Sequence, residues 1–224
     1  MKHTRTTPLQ RLITGGVAAA LLLASLVSTS GATAYSGRAT GATVKLVNPG
    51  PNILVFADTG DLPPQGGSLS ATLLTIQLQN TLSSHTITAS TSGGSGVANS
   101  SASQENVVAF PGQPAQVTAS VVRADSHADC SGASGSSVVT DLTFGGSSVT
   151  VTGQPNQTVV IANVATLIIN EQITVPNSID ITVNALHLIL GTGEEVILST
   201  AHSDVVCSTP SARATWGMLK ALYR

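Results

Sequence analysis

The sequence predicts an all-β protein: an antiparallel β-sandwich-like domain with one disulfide and a short C-terminal helix. Two observations lead to this fold class. About ten to twelve short runs alternate apolar and polar residues, and turn signals separate them roughly every 8–12 residues. Charged residues make up 9% and aromatic residues 3% of a chain whose hydrophobic share is 42%. Disordered chains combine high charge with low hydrophobicity, so that class is excluded.

Residues 1–34 are interpreted as a secretory signal peptide. Three basic residues precede an apolar run over residues 12–26, and Ala32-Thr33-Ala34 matches an A-x-A cleavage site before Tyr35. An uncut membrane anchor is the less favoured alternative, because the run is shorter than the ~20 residues that a spanning helix needs. The mature chain is therefore expected to be secreted, with one domain over residues 35–209 and a tail over residues 210–224.

The charge of the mature chain excludes two classes of partner. The full chain has 9 Lys and Arg against 11 Asp and Glu. Three of the basic residues lie in the signal peptide, so 9 − 3 = 6 remain, and 6 − 11 gives −5 with neutral histidines. A body with this balance is not expected to bind nucleic acid or an anionic lipid surface.

Two cysteines, Cys130 and Cys207, remain in the mature chain. Exported proteins enter an oxidising space, so a single disulfide between them is the default expectation. It would close a loop of 207 − 130 = 77 residues, for which the chain-entropy model gives roughly 4 kcal/mol. Two free or metal-bound thiols are the alternative.

Strands follow one another along the whole domain. The segment 69–78 reads as strand or short helix, and the Ser-rich segment 92–103 is only weakly patterned. Gly145-Gly146 indicates a tight hairpin. In chain order, the other strands are predicted over residues 35–47, 53–56, 85–90, 92–103, 107–110, 116–129, 137–144, 147–152, 159–161, 166–171, 179–190 and 194–207.

The last two of these strands form the clearest hairpin, around Gly191-Thr192-Gly193. Residues 179–185 alternate apolar and polar, but the apolar residues change parity after Ala185. Either a bulge exchanges the faces near His187, or both faces are covered there. On the return strand we expect Cys207 to face the core.

That expectation rests on shared parity within the return strand. Residues of one parity are expected to face the core, and those of the other parity to face outward. The inward set is Ile197, Ala201, Val205 and Cys207, and the outward set is His202 and Asp204.

The tail over residues 210–224 differs from the rest of the chain. Its large apolar residues recur at helical spacing among basic residues, which predicts an amphipathic helix. This helix is expected to contact a partner or, weakly, a membrane surface. The interacting residues are predicted to be Trp216, Leu219, Lys220, Leu222 and Tyr223.

No motif of a known catalytic centre is present, and no catalytic residue or cofactor is predicted. The sequence repeats His-x-Asp before each cysteine, as His127-Ala128-Asp129 and His202-Ser203-Asp204. A disulfide would bring the two strand ends together, and four such side chains could then hold a divalent cation. Polar pairing without a metal is the favoured interpretation.

Two alternative functions remain as hypotheses. A β-sandwich hydrolase or carbohydrate-active enzyme would need acidic residues that converge in a cleft, with or without the His-x-Asp pairs. A self-assembling surface protein would use exposed strand edges. The acidic candidates are Asp58, Asp61, Glu105, Asp141 and Glu171.

Several runs of fixed order carry a resemblance to a family that spans most of the mature chain. They are Ala57-Asp58-Thr59-Gly60 to Gly66-Gly67, Thr152 to Thr158, Ile169 to Gln172, Ile181 to His187, and Ala201 to Cys207. On these runs the chain resembles the bacterial choice-of-anchor P family of exported proteins. The resemblance implies an exported domain that carries different surface anchors in different members, and it implies no activity. No LPxTG-like sorting signal is present here.

These observations together predict an exported, non-enzymatic β-domain. It is expected to act outside the cell or in the cell envelope as an interaction or structural module. Its partner is expected to belong to the envelope or the extracellular space, and the sequence does not identify it.

Overall fold

The computed structural model describes residues 31–47, 50 and 52–208, and this part of the chain is all-β. The interpreted signal peptide up to residue 30 and the amphipathic tail over residues 210–224 lie outside the described residues. The thirteen described strands are β1 (Ala32–Leu46), β2 (Asn52–Asp58), β3 (Gly67–Leu78), β4 (Leu82–Gly94), β5 (Val97–Ala109), β6 (Val117–Asp129), β7 (Gly132–Thr140), β8 (Thr143–Phe144), β9 (Ser147–Ser148), β10 (Gln157–Ile161), β11 (Ala165–Thr174), β12 (Ile179–Leu190) and β13 (Glu195–Cys207).

The strands form two antiparallel sheets, which confirms the predicted fold class. Sheet A has the order β10-β11-β12-β13-β1-β2. Sheet B has the order β3-β4-β5-β6-β8-β9, and β7 also pairs with β6. The chain therefore starts in sheet A, builds all of sheet B, and returns to complete sheet A beside β1. The predicted cleavage point after Ala34 lies within β1, three residues from its start at Ala32.

The interior between the sheets has two parts. The larger part is packed with aliphatic and aromatic side chains such as Leu167, Leu186 and Phe144. Towards the disulfide the buried side chains become small, mainly alanine and serine. There the sheets bond directly to each other, since Ser126 Oγ lies 2.8 Å from Ser203 Oγ. Small residues permit this close approach, and they explain how the domain folds with so few aromatic residues.

The predicted disulfide is confirmed. Cys130 follows β6 in sheet B and Cys207 ends β13 in sheet A, with their Cα atoms 5.8 Å apart. The bond therefore ties the two sheets together at the small-residue end of the interior. It closes a loop of 77 residues, which corresponds to roughly 4 kcal/mol in the chain-entropy model.

In five adjacent strands of sheet A, one residue per strand is skipped by the strand pairing, and these five residues lie side by side across the sheet. Ala57, Ser199 and Asn170 adopt left-handed φ values of 50°, 55° and 53°. They alternate across the sheet with Gly41 and Ala185, and pairing resumes in the same register on both sides. Consecutive residues at such a row point to the same face. We call it the left-handed row.

This row settles the change of parity in the hairpin. In β12, Ala185 and Leu186 are both buried, so the inward set changes there without an inserted residue. In β13, Val196 and Leu198 are buried before the row, and Ala201 and Val205 after it. The expectation that Ile197 shares the inward face of Ala201 is therefore wrong. Ile197 points outward, because the left-handed Ser199 separates the two halves of the strand.

Candidate functional site

The outer face of sheet B carries a regular array of short polar side chains. Five adjacent strands, β3 to β7, contribute three cross-strand rows in continuous register. We call this array the serine face. Its rows are Ser68, Ser92, Asn99, His127 and Ser134; Ser70, Ser90, Ser101, Asp125 and Ser136; and Thr72, Thr88, Ser103, Arg123 and Val138.

The alternation of buried residues explains why these side chains point outward. In β5, Ala98, Ser100 and Ala102 are buried, and the residues between them are not. In β6, Ala124 and Ala128 follow the same rule. The weakly patterned segment 92–103 is extended as predicted, but it is not one strand, because a turn at Ser95-Gly96 divides it between β4 and β5. Its inward alanines and serines match the thin part of the interior.

A depression of about 410 Å³ occupies the middle of the serine face. Its walls come from four neighbouring strands, β4 to β7. Asn99, Asp125 and His127 project between surrounding serines that include Ser90 and Ser101. Serine side chains are short, so the longer side chains between them leave a hollow on an otherwise flat sheet.

The long side chains of the depression are held in place by their neighbours. Arg123 donates to both carboxylate oxygens of Asp125, Nε to Oδ2 at 2.8 Å and Nη2 to Oδ1 at 2.7 Å. His127 Nδ1 lies 2.8 Å from Asn99 Oδ1, and His127 Nε2 lies 3.4 Å from Asp129 Oδ2. The guanidinium and the carboxylate offset each other, so this wall carries little net charge.

Asp129 fixes the turn that leads to β7. Its Oδ1 accepts from the Ser131 amide at 2.7 Å, from Ser131 Oγ at 2.5 Å and from the Gly132 amide at 3.2 Å. The hydrogen bonds from Ser131 are the main reason that the pKa of Asp129 falls to about 2. This carboxylate also holds the His127 ring at the rim of the depression.

The hydroxyl groups of the depression are not used within the fold. Ser90, Ser92, Ser101, Ser134 and Ser136 are found in no side-chain hydrogen bond to another residue of the described ranges. The inward serines differ. Ser100 Oγ donates to the His202 carbonyl at 2.5 Å, and Ser126 bonds Ser203. The outward hydroxyls therefore stay open to an external ligand.

Sheet A presents a different outer face, in which polar groups bond each other. Glu171 Oε2 lies 2.9 Å from His187 Nδ1 and accepts from Asn184 Nδ2 at 2.7 Å. Thr200 Oγ1 donates to Asn184 Oδ1 at 2.8 Å. The hydrogen bond with His187 is the main cause that lowers the pKa of Glu171. Most polar atoms of this network bond one another, but His187 Nε2 is buried without a hydrogen-bond partner among the described residues.

The two His-x-Asp pairs do not meet at one site, so the less favoured interpretation, a cation held by all four side chains, does not match their placement. Ser126 and Ser203 face each other in the interior, and their sequence neighbours must point away from it. His127 lies on the outer face of sheet B and bonds Asn99. His202 lies on the outer face of sheet A, 3.1 Å from Asp180 Oδ2. Within the described ranges, no group of three His, Cys, Asp or Glu side chains is placed to hold a metal ion.

Asp204, the other outward residue of that pair, stands directly opposite Asp180. Burial is the main cause that raises the pKa of Asp204, and the charge of Asp180 adds to it. A like-charge cross-strand pair is unfavourable. His202 relieves it in part by its contact with Asp180.

The acidic residues of a possible hydrolase do not converge in one cleft, although two of them, Asp58 and Asp61, share the Arg38 guanidinium. Glu171 lies on β11 and Asp58 on β2, with three strands between them, which corresponds to about 19 Å at ~4.8 Å per strand. Asp58 forms a salt bridge with Arg38 at 2.5 Å, and Asp61 lies 3.4 Å from the same guanidinium. Glu105 and Asp141 belong to sheet B instead. Glu105 lies on β5, and Asp141 follows β7.

No sequence signal marks the serine face as a site, because serine in runs is more typical of turns. Its residues become a site only through the register of five strands. The predicted tail contacts from Trp216 to Tyr223 lie outside the described residues. In the described part, no helix has the length and apolar character that a membrane crossing requires.

The chain matches no protein-family model, no curated protein and no solved structure. The resemblance to the choice-of-anchor P family therefore stays a prediction. The runs that carry it lie mostly in sheet A, on β2, β11, β12 and β13. The serine face, on sheet B, lies outside them.

Proposed function

We propose that this protein is an exported, non-enzymatic module of the cell envelope or the extracellular space that binds its partner through the serine face. The observation that carries the proposal is the row of outward hydroxyls around the depression, which form no side-chain bonds inside the described fold. Sheet strands hold these groups in a fixed array. A rigid array of this kind suits binding rather than catalysis, which needs converging acid and base groups.

Three further observations support the proposal. The disulfide between Cys130 and Cys207 suits an oxidising compartment outside the cytoplasm. The basic and apolar segments before Tyr35 have the pattern of a signal peptide. The resemblance to the choice-of-anchor P family implies export as well.

Cell fractionation tests this function. Cells that make the full chain are compared with cells that make a version stopped before Pro210, and medium, wall and membrane fractions are probed for each. Both versions should leave the cytoplasm. If only the full chain stays with the envelope, the tail is the anchor; if both enter the medium, the domain acts on extracellular partners. Retention of both versions in the cytoplasm would refute the proposal.

Self-assembly through a strand edge is a second candidate function, and one observation favours it. Strand β3 forms one edge of sheet B and contains twelve residues with no charge and no proline. On this strand, Leu74 is 79% exposed. Proteins usually protect such edges with charges, prolines or bulges, because a free edge accepts another strand. A second copy of the chain would extend sheet B at β3.

A further inference from the structure

The depression on the serine face is built from groups that both donate and accept hydrogen bonds. A serine hydroxyl has one donor and two acceptor lone pairs. Around the depression, such groups are presented on β4, β5 and β7 by Ser90, Ser92, Ser101, Ser134 and Ser136. A ligand that satisfies them must itself carry many groups able to donate and accept.

The charges of the depression exclude a strongly ionic ligand. The carboxylate of Asp125 is held by both Nε and Nη2 of Arg123. His127 is bonded to Asn99 and lies beside Asp129. No lysine or unpaired arginine lines the depression. An anion would find no free cation there, and a cation would find the charge of Asp125 already neutralised by Arg123.

The shape of the depression favours an extended ligand. Its walls span four strands, about 14 Å across the sheet, and two rows about 7 Å apart along the strands. Its volume of about 410 Å³ lies in the range of small-ligand sites. Its lining side chains include no Leu, Ile, Val or aromatic residue. A peptide with apolar side chains would therefore gain little by binding here.

We propose that this depression binds a neutral saccharide chain, whose hydroxyl groups meet the free hydroxyls of the serine face. This inference rests on the proposed interaction module and adds the class of ligand. Asn99 contributes its amide group, and its Nδ2 makes no hydrogen bond to any other residue in the described ranges. Asp125, fixed by Arg123, contributes the remaining lone pairs as acceptors.

The test uses the purified, oxidised full chain and a panel of neutral hexasaccharides: cellohexaose, maltohexaose, xylohexaose and laminarihexaose. Titration calorimetry should give a Kd of about 1 mM or tighter for at least one of them. The variant Ser101→Ile places a branched apolar side chain in the centre of the depression and should weaken binding at least tenfold. The control Ser148→Ile alters an exposed serine on β9, outside the depression, and should bind like the wild type.

Further measurements separate the possible outcomes. All three proteins should have the same melting temperature, and Asn99→Ala, which leaves the serines in place, should also weaken binding. Oligogalacturonate of the same length, which is charged, should bind less tightly.

Absence of binding to every hexasaccharide would overturn the inference, and so would equal binding by wild type and Ser101→Ile. If fractionation still finds the chain outside the cytoplasm in that case, the proposed interaction module stands and only its ligand class falls. If the chain stays in the cytoplasm, the proposed function falls, whatever the saccharide titrations give.

Discussion

Single residues decide how closely the two sheets approach. Gly41 of β1 lies on the left-handed row and faces sheet B. A Cβ atom there would overlap the Ile87 Cγ2 methyl group and lie 3.1 Å from the Ala57 Cβ atom. The Nε2 atom of Gln104 donates to the Gly41 carbonyl at 2.9 Å, while its Oε1 has no hydrogen-bond partner among the described residues. The absence of a side chain at Gly41 and the buried amide of Gln104 thus allow β1 to lie close to sheet B.

The variant Gly41→Ala should therefore destabilise the domain. Overpacking a dense interior costs about 1–3 kcal/mol, because strand β1 must shift away from Ile87. The control is Gly50→Ala, since a Cβ atom at Gly50 meets nothing within 4 Å. Urea unfolding of both variants measures the difference. Equal stability of the two would contradict the close approach of the sheets at β1.

Replacement of Gln104 by Leu should also destabilise the domain, for a different reason. Gln104 is fully buried, and its loss leaves the Gly41 carbonyl without its side-chain partner. An unsatisfied buried polar group costs about 1–3 kcal/mol. Gln77, which is exposed on β3, provides the control substitution to Leu. Urea midpoints that fall equally in both variants would argue against the buried hydrogen bond.

Asp129 gives the protein a pH dependence with a defined sign. Its folded pKa of about 2 lies below the ordinary value of 3.8. The unfolded carboxyl therefore takes up its proton first, so the contribution to stability is complete above pH 4 and is lost as the pH falls towards 2. Amide NMR signals of Ser131 and Gly132 should titrate over this range.

The control for this titration is Asp129→Asn, in which the same two amide signals should no longer follow a midpoint near pH 2. A wild-type midpoint near pH 4 would mean that the hydrogen bonds from Ser131 do not hold the carboxylate. It would also remove the support that Asp129 gives to the His127 ring.

At the scale of elements, the disulfide is the one side-chain cross-link between the sheets in the described part of the chain. Replacement of both Cys130 and Cys207 by Ser should cost roughly 4 kcal/mol, because the unfolded chain then gains the freedom of a 77-residue loop. A reducing agent should lower the melting temperature of the wild type and leave the double variant unchanged. An unchanged wild-type melting temperature on reduction would contradict this role.

The edge strand β3 allows a test of self-assembly. Leu74→Lys adds a charge to the exposed face of this edge, and edge lysines oppose the addition of another strand. If copies associate through β3, light scattering of concentrated protein should show large species for the wild type and monomers for the variant. A wild type that stays monomeric at high concentration would exclude assembly through this edge.

The hairpin of β12 and β13 was predictable because β-branched residues alternate along it. The change in which residues point inward along these strands was predictable only in part. Asn170 tolerates a left-handed backbone, but Ala57 and Ser199 give no sign of one in the sequence, and only the register across the sheet explains them. The position of the two His-x-Asp pairs could not be predicted for a related reason. The disulfide joins strand ends, but parity sends His127 and His202 to opposite outer faces.

At the scale of the whole molecule, the two sheets divide the roles. Sheet A contains most of the self-bonded charged groups, such as Glu171 with His187 and Arg38 with Asp58. Sheet B contributes the free hydroxyls of the serine face. The disulfide end of the interior is thin and rich in small residues. The outer faces are therefore supported there by the hydrogen bonds between strands rather than by large buried side chains.

Export is the central claim, and the state of the chain in cells tests it most directly. Mass spectrometry of the protein from culture fluid and envelope, after alkylation of free thiols, measures the N-terminus and the redox state together. The account predicts a chain that begins at Tyr35 with Cys130 and Cys207 unalkylated because they are joined. A cytoplasmic chain that retains residues 1–34 and has two alkylated cysteines would contradict it.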